Sequence, residues 1–176
     1  DYIYIEVYLE GDFPAGIERL SLETKQILSE FKTYNDFIQF TFINPTESKD
    51  DKTRNEILKQ LYEKGLNPTN LQVKNGDSYT EKIIIPGAIV KFGTNEIAVQ
   101  LLKNQIASSP DQNLEQSIRE LEYEFTNTIK QLSSSLKPSI AFLKGHGELD
   151  GIDIKDLRNS LTCLLYTSDA ADESRG

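Results

Sequence analysis

The chain changes hydrophobic period, from two to three-and-four, twice in its first third, and that change limits the folds open to it. Residues 2–9, Tyr-Ile-Tyr-Ile-Glu-Val-Tyr-Leu, are β-branched or aromatic at most positions, the composition of a buried strand. The turn cluster Gly11-Asp12-Phe13-Pro14-Ala15-Gly16 follows. Ile17, Leu20, Thr24, Ile27, Leu28, Phe31 and Tyr34 then recur at helical spacing, one stripe that Asn35-Asp36 stops. The pattern repeats. Ile38, Phe40 and Phe42 alternate with polar residues between Phe37 and Ile43, which predicts a strand ended by Asn44-Pro45. The polar loop from Thr46 to Asp51 can cap a second helix carrying Ile57, Leu58, Leu61 and Tyr62, and Gly65 stops it.

Beyond Asn67-Pro68 the signals change to strands and turns. Leu71 to Val73 predicts a short strand and Asn75-Gly76-Asp77 a hairpin-type turn. Lys82 to Phe92 is an apolar run interrupted by Pro86-Gly87; Gly93-Thr94-Asn95 turns it back into a partner strand from Glu96 to Leu102. Ser108-Ser109-Pro110-Asp111 opens the longest helix, with Leu114, Ile118, Leu121, Phe125, Ile129, Leu132 and Leu136 on its apolar face. Lys137-Pro138 breaks it. Ser139 to Leu143 predicts a new buried strand that runs into Gly145-His146-Gly147-Glu148, and a last helix starts near Ile154.

Two α/β units, then an antiparallel pair, then a helix is the order βαβαββα. It predicts an α/β, thioredoxin-like domain over 1–136, followed over 137–162 by the truncated start of a second α/β domain of Rossmann or flavodoxin-like type. Ile85-Pro86 stands just before the antiparallel pair, where a thioredoxin-like fold often holds a cis proline. Both ends read as artificial. The chain contains no Met, so it reads as a fragment. The string Cys163-Leu-Leu-Tyr-Thr-Ser-Asp-Ala-Ala-Asp172 resembles one reading frame of a transposase adapter used in sequencing libraries. That marks 163–176 as read-through rather than natural protein.

Composition excludes several functions. A net charge of −9 is unsuited to phosphate contacts, so neither nucleic acid nor an anionic membrane surface is an expected partner. No apolar run approaches the roughly 20 residues that span a bilayer. There is no phosphate-binding loop, so the chain is not itself an ATPase. A thioredoxin-like redox site would place a dithiol at the start of the first helix, but Phe13-Pro14-Ala15-Gly16 stands there and Cys163 is the one cysteine. A structural or binding role replaces disulfide exchange. The aromatic residues fall on predicted core positions, and Glu115, Glu120, Glu122 and Glu124 fall on the outer faces of the long helix, as a solvated surface.

Gly145-His146-Gly147-Glu148 follows a buried strand, where α/β folds place ligand sites. His146 and Glu148 fit a metal pair or an acid/base pair. They equally fit a glycine-rich turn with a solvated histidine, and His146 is the one histidine in the chain. No catalytic, cofactor-binding or metal-binding residue is assigned, and no cofactor is expected. The residues favoured for contact with a partner or ligand are Asp12, Phe13, Pro14 and Gly16 in the first turn and Gly145, His146, Gly147 and Glu148 in the second.

Val7-Tyr8-Leu9-Glu10-Gly11-Asp12-Phe13-Pro14-Ala15-Gly16, a helix, and then Ile38-Gln39-Phe40 through Phe42-Ile43-Asn44-Pro45 resemble the GldG family, the gliding-motility-associated ABC transporter component of gliding bacteria. Ile85-Pro86-Gly87-Ala88 and Gly145-His146-Gly147-Glu148 resemble the same family's auxiliary transporter domain, so the likeness runs over 1–162. The resemblance implies a non-enzymatic protein whose soluble part faces the periplasm at the inner membrane, held by anchor helices that this chain lacks. It implies an ABC permease subunit as partner and, through it, a separate ATPase subunit, in a complex supporting gliding and surface protein export. The alternative is a periplasmic saccharide- or peptide-binding module that delivers a ligand to a permease, with a cleft near Pro138.

Overall fold

The computed structural model describes residues 2–48, 50–75, 78–104, 108–134, 139–142 and 166–169. The chain divides into two units, Asp1–Leu132 and Ser133–Gly176. The first is mixed α/β. Its elements are β1 (Ile3–Val7), α1 (Ala15–Tyr34), β2 (Ile38–Phe42), α2 (Asp51–Glu63), β3 (Thr69–Asn75), β4 (Ser78–Ile84), β5 (Gly87–Phe92), β6 (Asn95–Gln100) and α3 (Pro110–Ser133).

Four strands form one sheet in the order β2-β1-β5-β6. β1 runs parallel to β2, with Ile5 opposite Phe40, and antiparallel to β5, with Ile5 opposite Val90. β5 and β6 form a hairpin whose two-residue loop begins at Gly93, where φ is +59°. A strand sends alternate side chains to opposite faces. Ile3, Ile5 and Val7 therefore enter the larger core with Ile17, Leu20 and Leu28 of α1, Val90 of β5, and Leu121, Phe125 and Leu132 of α3. Tyr8 joins the smaller core on the other face, where Leu61 of α2 packs with Leu66, Ile85 and Ile89.

Helix ends follow local chemistry. The Asp50 carboxylate accepts from the Thr53 backbone N–H at 3.0 Å and starts α2. Before α3, Ser109 and Gln112 form a reciprocal capping box: Ser109 Oγ accepts from the Gln112 N–H at 3.2 Å, and Gln112 Oε1 accepts from the Ser109 N–H at 3.0 Å. Pro110 occupies the first helical position, where its missing N–H costs nothing. Gly65 ends α2 with φ +100°, a conformation that a side chain would strain. Buried hydroxyls are satisfied within their own helices: Thr24 donates to the Leu20 carbonyl and Ser117 to the Asn113 carbonyl, at 2.7 and 2.6 Å.

Four expectations are corrected. The stretch before the β5–β6 pair is not a lone short strand. β3 and β4 pair over seven residues, from Thr69 opposite Ile84 to Asn75 opposite Ser78, as a separate two-stranded sheet inserted between α2 and β5. Lys82 to Ile84 thus belongs to β4, and Pro86-Gly87 divides two strands of different sheets. The Ile85–Pro86 bond is trans. Tyr34, placed on the apolar stripe of α1, is 89% exposed, because the last turn of the helix extends past the core.

In the second unit, β7 (Ser139–Phe142) pairs in parallel with β8 (Tyr166–Asp169), Ser139 opposite Tyr166. β8 lies within the 163–176 stretch that the sequence sets apart.

Phe125 is fully buried at the centre of the larger core. Phe125→Ala is expected to cost about 3–5 kcal/mol in chemical denaturation, the usual range for emptying an aromatic core site. At Gly87 an added Cβ would stand 2.5 Å from Leu66 Cδ2 and 3.1 Å from the Val99 carbonyl oxygen. Gly87→Ala is therefore expected to destabilise as well, by about 1–3 kcal/mol, the range for overpacking.

Candidate functional site

The first of the two turns favoured by the sequence lies where β1 and β2, the parallel pair, both end. α/β folds commonly place ligand sites at that end of parallel strands. The chain leaves β1 through Leu9 and turns at Gly11, whose φ is +138°. It enters α1 at Pro14, whose carbonyl accepts from the N–H groups of Ile17 and Glu18 at 2.9 and 3.0 Å. No side chain caps this helix start, and Glu18 in the first turn complements its positive end. Ser21 donates to the Leu9 carbonyl at 2.8 Å and ties α1 back to the strand it follows.

The geometry brings Asp12, Phe13, Pro14 and Gly16 together and adds a residue the sequence does not single out. Lys82 of β4 donates from Nζ to the Asp12 backbone carbonyl, and the same ammonium stands 5.3 Å from the centre of the Phe13 ring. A cation over an aromatic face at that distance is attractive. Gly16 faces α3: a Cβ there would meet Leu114 Cδ2 at 3.0 Å, so the missing side chain lets the two helices approach. On the β2 side, Asn44 Oδ1 accepts from the Thr46 N–H and hydroxyl at 3.0 and 2.9 Å. An open depression of about 580 Å³ lies here, lined by Glu10, Gly11, Phe42, Ile43, Asn44 and Glu47. Gly145, His146, Gly147 and Glu148 lie outside the described residues.

Two charged networks flank the sheet. Lys91 donates to Glu6 Oε1 at 2.6 Å, and the Tyr8 hydroxyl donates to Glu6 Oε2 at 2.9 Å. Burial opposes ionisation of Glu6, but the hydrogen bonds from Lys91 and Tyr8 outweigh it and hold its carboxyl below the ordinary value of 4.5. Burial, and then the Glu6 carboxylate, push the Tyr8 hydroxyl well above the tyrosine range. Lys103 pairs with Glu120 and, at 2.6 Å, with Glu124. Burial pulls Lys103 down, and these two carboxylates outweigh it and hold the ammonium above the usual lysine value. Glu120 and Glu124, expected as part of a solvated face, instead anchor α3 to the segment after β6. Periodicity marks their side of the helix but carries no signal for a lysine so far along the chain.

Among the described residues no group of three or more His, Cys, Asp or Glu side chains is placed to hold a metal. No described helix is long and apolar enough to cross a membrane. What fold and turn together define is a mixed α/β domain with its candidate contact surface at the ends of two parallel strands. Residues 1–91 match the family described as a domain of unknown function, DUF7088, and the chain belongs to that family. The match runs from β1 into β5 and includes the β3–β4 hairpin. No curated protein and no solved structure matches the chain.

The Glu6 pair carries a pH dependence. Its carboxyl has a lower pKa folded than unfolded, so its contribution is full above the unfolded value and is lost as pH falls through the folded one. Denaturation midpoints measured from neutral pH downward are expected to decline below about the ordinary carboxylate range. Glu6→Gln is expected to be less stable at neutral pH and to show a shallower acid limb. An unchanged limb would mean that Lys91 and Tyr8 do not bias this carboxyl.

Proposed function

We propose that this chain is the soluble, non-enzymatic part of a membrane-anchored ABC-type transporter complex of the GldG kind, working at the periplasmic face of the inner membrane. A permease subunit binds it there, and a separate ATPase acts through the permease in gliding motility and the surface protein export associated with it. The observation that carries the reading is spatial. Two of the segments that resemble the family, Val7 to Gly16 and Ile38 to Pro45, end side by side: β1 and β2 are parallel, and Gly11 lies against Asn44.

With this goes a proposed fold relationship. The order β2-β1-β5-β6, with α1 and α3 packed on one face and α2 on the other, supports a thioredoxin-like arrangement for the first unit. The inserted β3–β4 hairpin, the trans Ile85–Pro86 bond and the lack of a thiol near α1 are its departures. The hairpin places Lys82 on the turn where a redox enzyme of that fold would carry its cysteines, so the same position serves contact instead of electron transfer.

Recovering the gene with its neighbours and co-expressing the whole protein with the adjacent permease tests the reading. The expected result is an apolar segment of about 20 residues flanking this region, a permease gene alongside, and co-purification of the two products from detergent. Phe13→Ala, which removes the ring under Lys82, is expected to weaken that capture several-fold without unfolding the domain. A gene with no transporter neighbour, or a permease that never co-purifies, would sink the proposal.

A further inference from the structure

Among the described residues the sheet guards one of its two edges and leaves the other open. Along β6, Lys64 Nζ pairs with Glu96 at 2.8 Å, and Gln100 Oε1 accepts from the Asn67 N–H at 3.0 Å, so the segment after α2 runs beside that strand. Among the described residues β2 has no such cover. Its sequence, Ile-Gln-Phe-Thr-Phe, contains neither charge nor proline, the common devices that keep an edge from pairing. The Ile3 N–H donates to the Phe37 carbonyl and the Ile43 N–H to the Val7 carbonyl, each at 2.8 Å. Alternation along a strand then turns the peptide groups of 37, 39, 41 and 43 toward β1 and those of 38, 40 and 42 outward. The Asn35 carbonyl takes the Ile38 N–H at 3.0 Å. The Phe40 N–H and carbonyl and the Phe42 N–H face outward, and among the described residues none meets them.

Side chains on both faces of the edge suit an added strand. On the face that α2 leaves bare, Tyr2 stacks obliquely against Phe37 at 5.4 Å and Tyr4 at 6.1 Å between ring centres. These three rings are 49%, 56% and 53% exposed. On the other face Phe40 and Phe42 meet edge-on at 6.2 Å and are only half-buried. A strand laid along β2 would give its backbone to Phe40 and its alternate side chains to the three rings on one face and the two on the other. Charge chooses between occupants. The far end of the edge opens on the depression that holds Glu10 and Glu47, and Asp36 precedes its near end. A second copy of this acidic chain would set that rim against itself, whereas a strand with basic flanks would complement it.

We propose that β2 is a strand-addition site for an extended segment of a partner protein, apolar at alternate positions and flanked by Lys or Arg. The site rests on the edge geometry alone and stands or falls separately from the transporter reading. The test uses the full chain and a Lys-flanked octapeptide alternating Val and Thr, with fluorescence anisotropy for affinity and amide exchange for the contact. The peptide is expected to bind and to slow exchange at the Phe40 N–H. Two further peptides carry N-methyl groups on alternating residue sets. One set faces β2 and is expected to abolish binding; the other faces solvent and is expected to retain it. Thr41→Lys, an exposed change that adds a charge to the edge, is expected to weaken binding at least tenfold with the fold intact. Equal binding of both methylated peptides, indifference to Thr41→Lys, or no saturation below about 1 mM, the weak end of specific association, would overturn the site. So would a dimer of the chain in sedimentation that Thr41→Lys dissolves, since the edge's occupant would then be a second copy.

Discussion

Strand β1 commits both of its hydrogen-bonding edges and one whole face to its neighbours, and the rest of the first unit is arranged around that. β2 takes one edge in parallel and β5 takes the other in antiparallel fashion. Ile3, Ile5 and Val7 supply the floor on which α1 and α3 pack, while Tyr8 reaches through to the opposite core under α2. A strand flanked on both edges must have its peptide groups paired, because an unpaired one out of reach of water costs more than a typical hydrogen bond contributes. The one carboxylate on β1, Glu6, meets the same demand through Lys91 and Tyr8, which makes a charge tolerable beside a core.

Much of this is legible in the sequence because it is local. The three-and-four spacing from Ile17 to Leu28 marks the buried side of α1 correctly, and the Gly65 stop and the Ser109 start fall where the helices end and begin. Tyr34 fits the same spacing yet is exposed, because period alone does not say how far a helix outruns the surface it packs on. The β3–β4 hairpin was visible only as a short strand and a turn. Its mixed composition gives no clean alternation, and the pairing of β3 with β4 instead of with the main sheet is a tertiary choice.

The candidate contact surface divides in the same way. The turn from Asp12 to Gly16 announces itself through Gly and Pro, whose backbone preferences act over a few residues. Lys82 does not, since it meets Asp12 and Phe13 across the whole length of two helices and two strands. Lys103 with Glu120 and Glu124 is a second example. Long-range ionic contacts leave no period in a sequence, so charge patterning along α3 suggested solvent where the structure has a partner.

The pairing of β1 with β5 has a consequence for how the chain is made. β1 and β2 meet across a single helix, and β5 with β6 across a two-residue loop, so both pairs are close in sequence. Ile5 meets Val90 only after α1, α2 and the β3–β4 hairpin have all been synthesised. Closing so long a loop adds entropy slowly with its length but delays the pairing itself. On a ribosome, this inner strand of the sheet would wait with its second edge unpaired until Phe92 had emerged. During that interval its Ile and Val side chains are the segment most in need of shelter from other nascent chains.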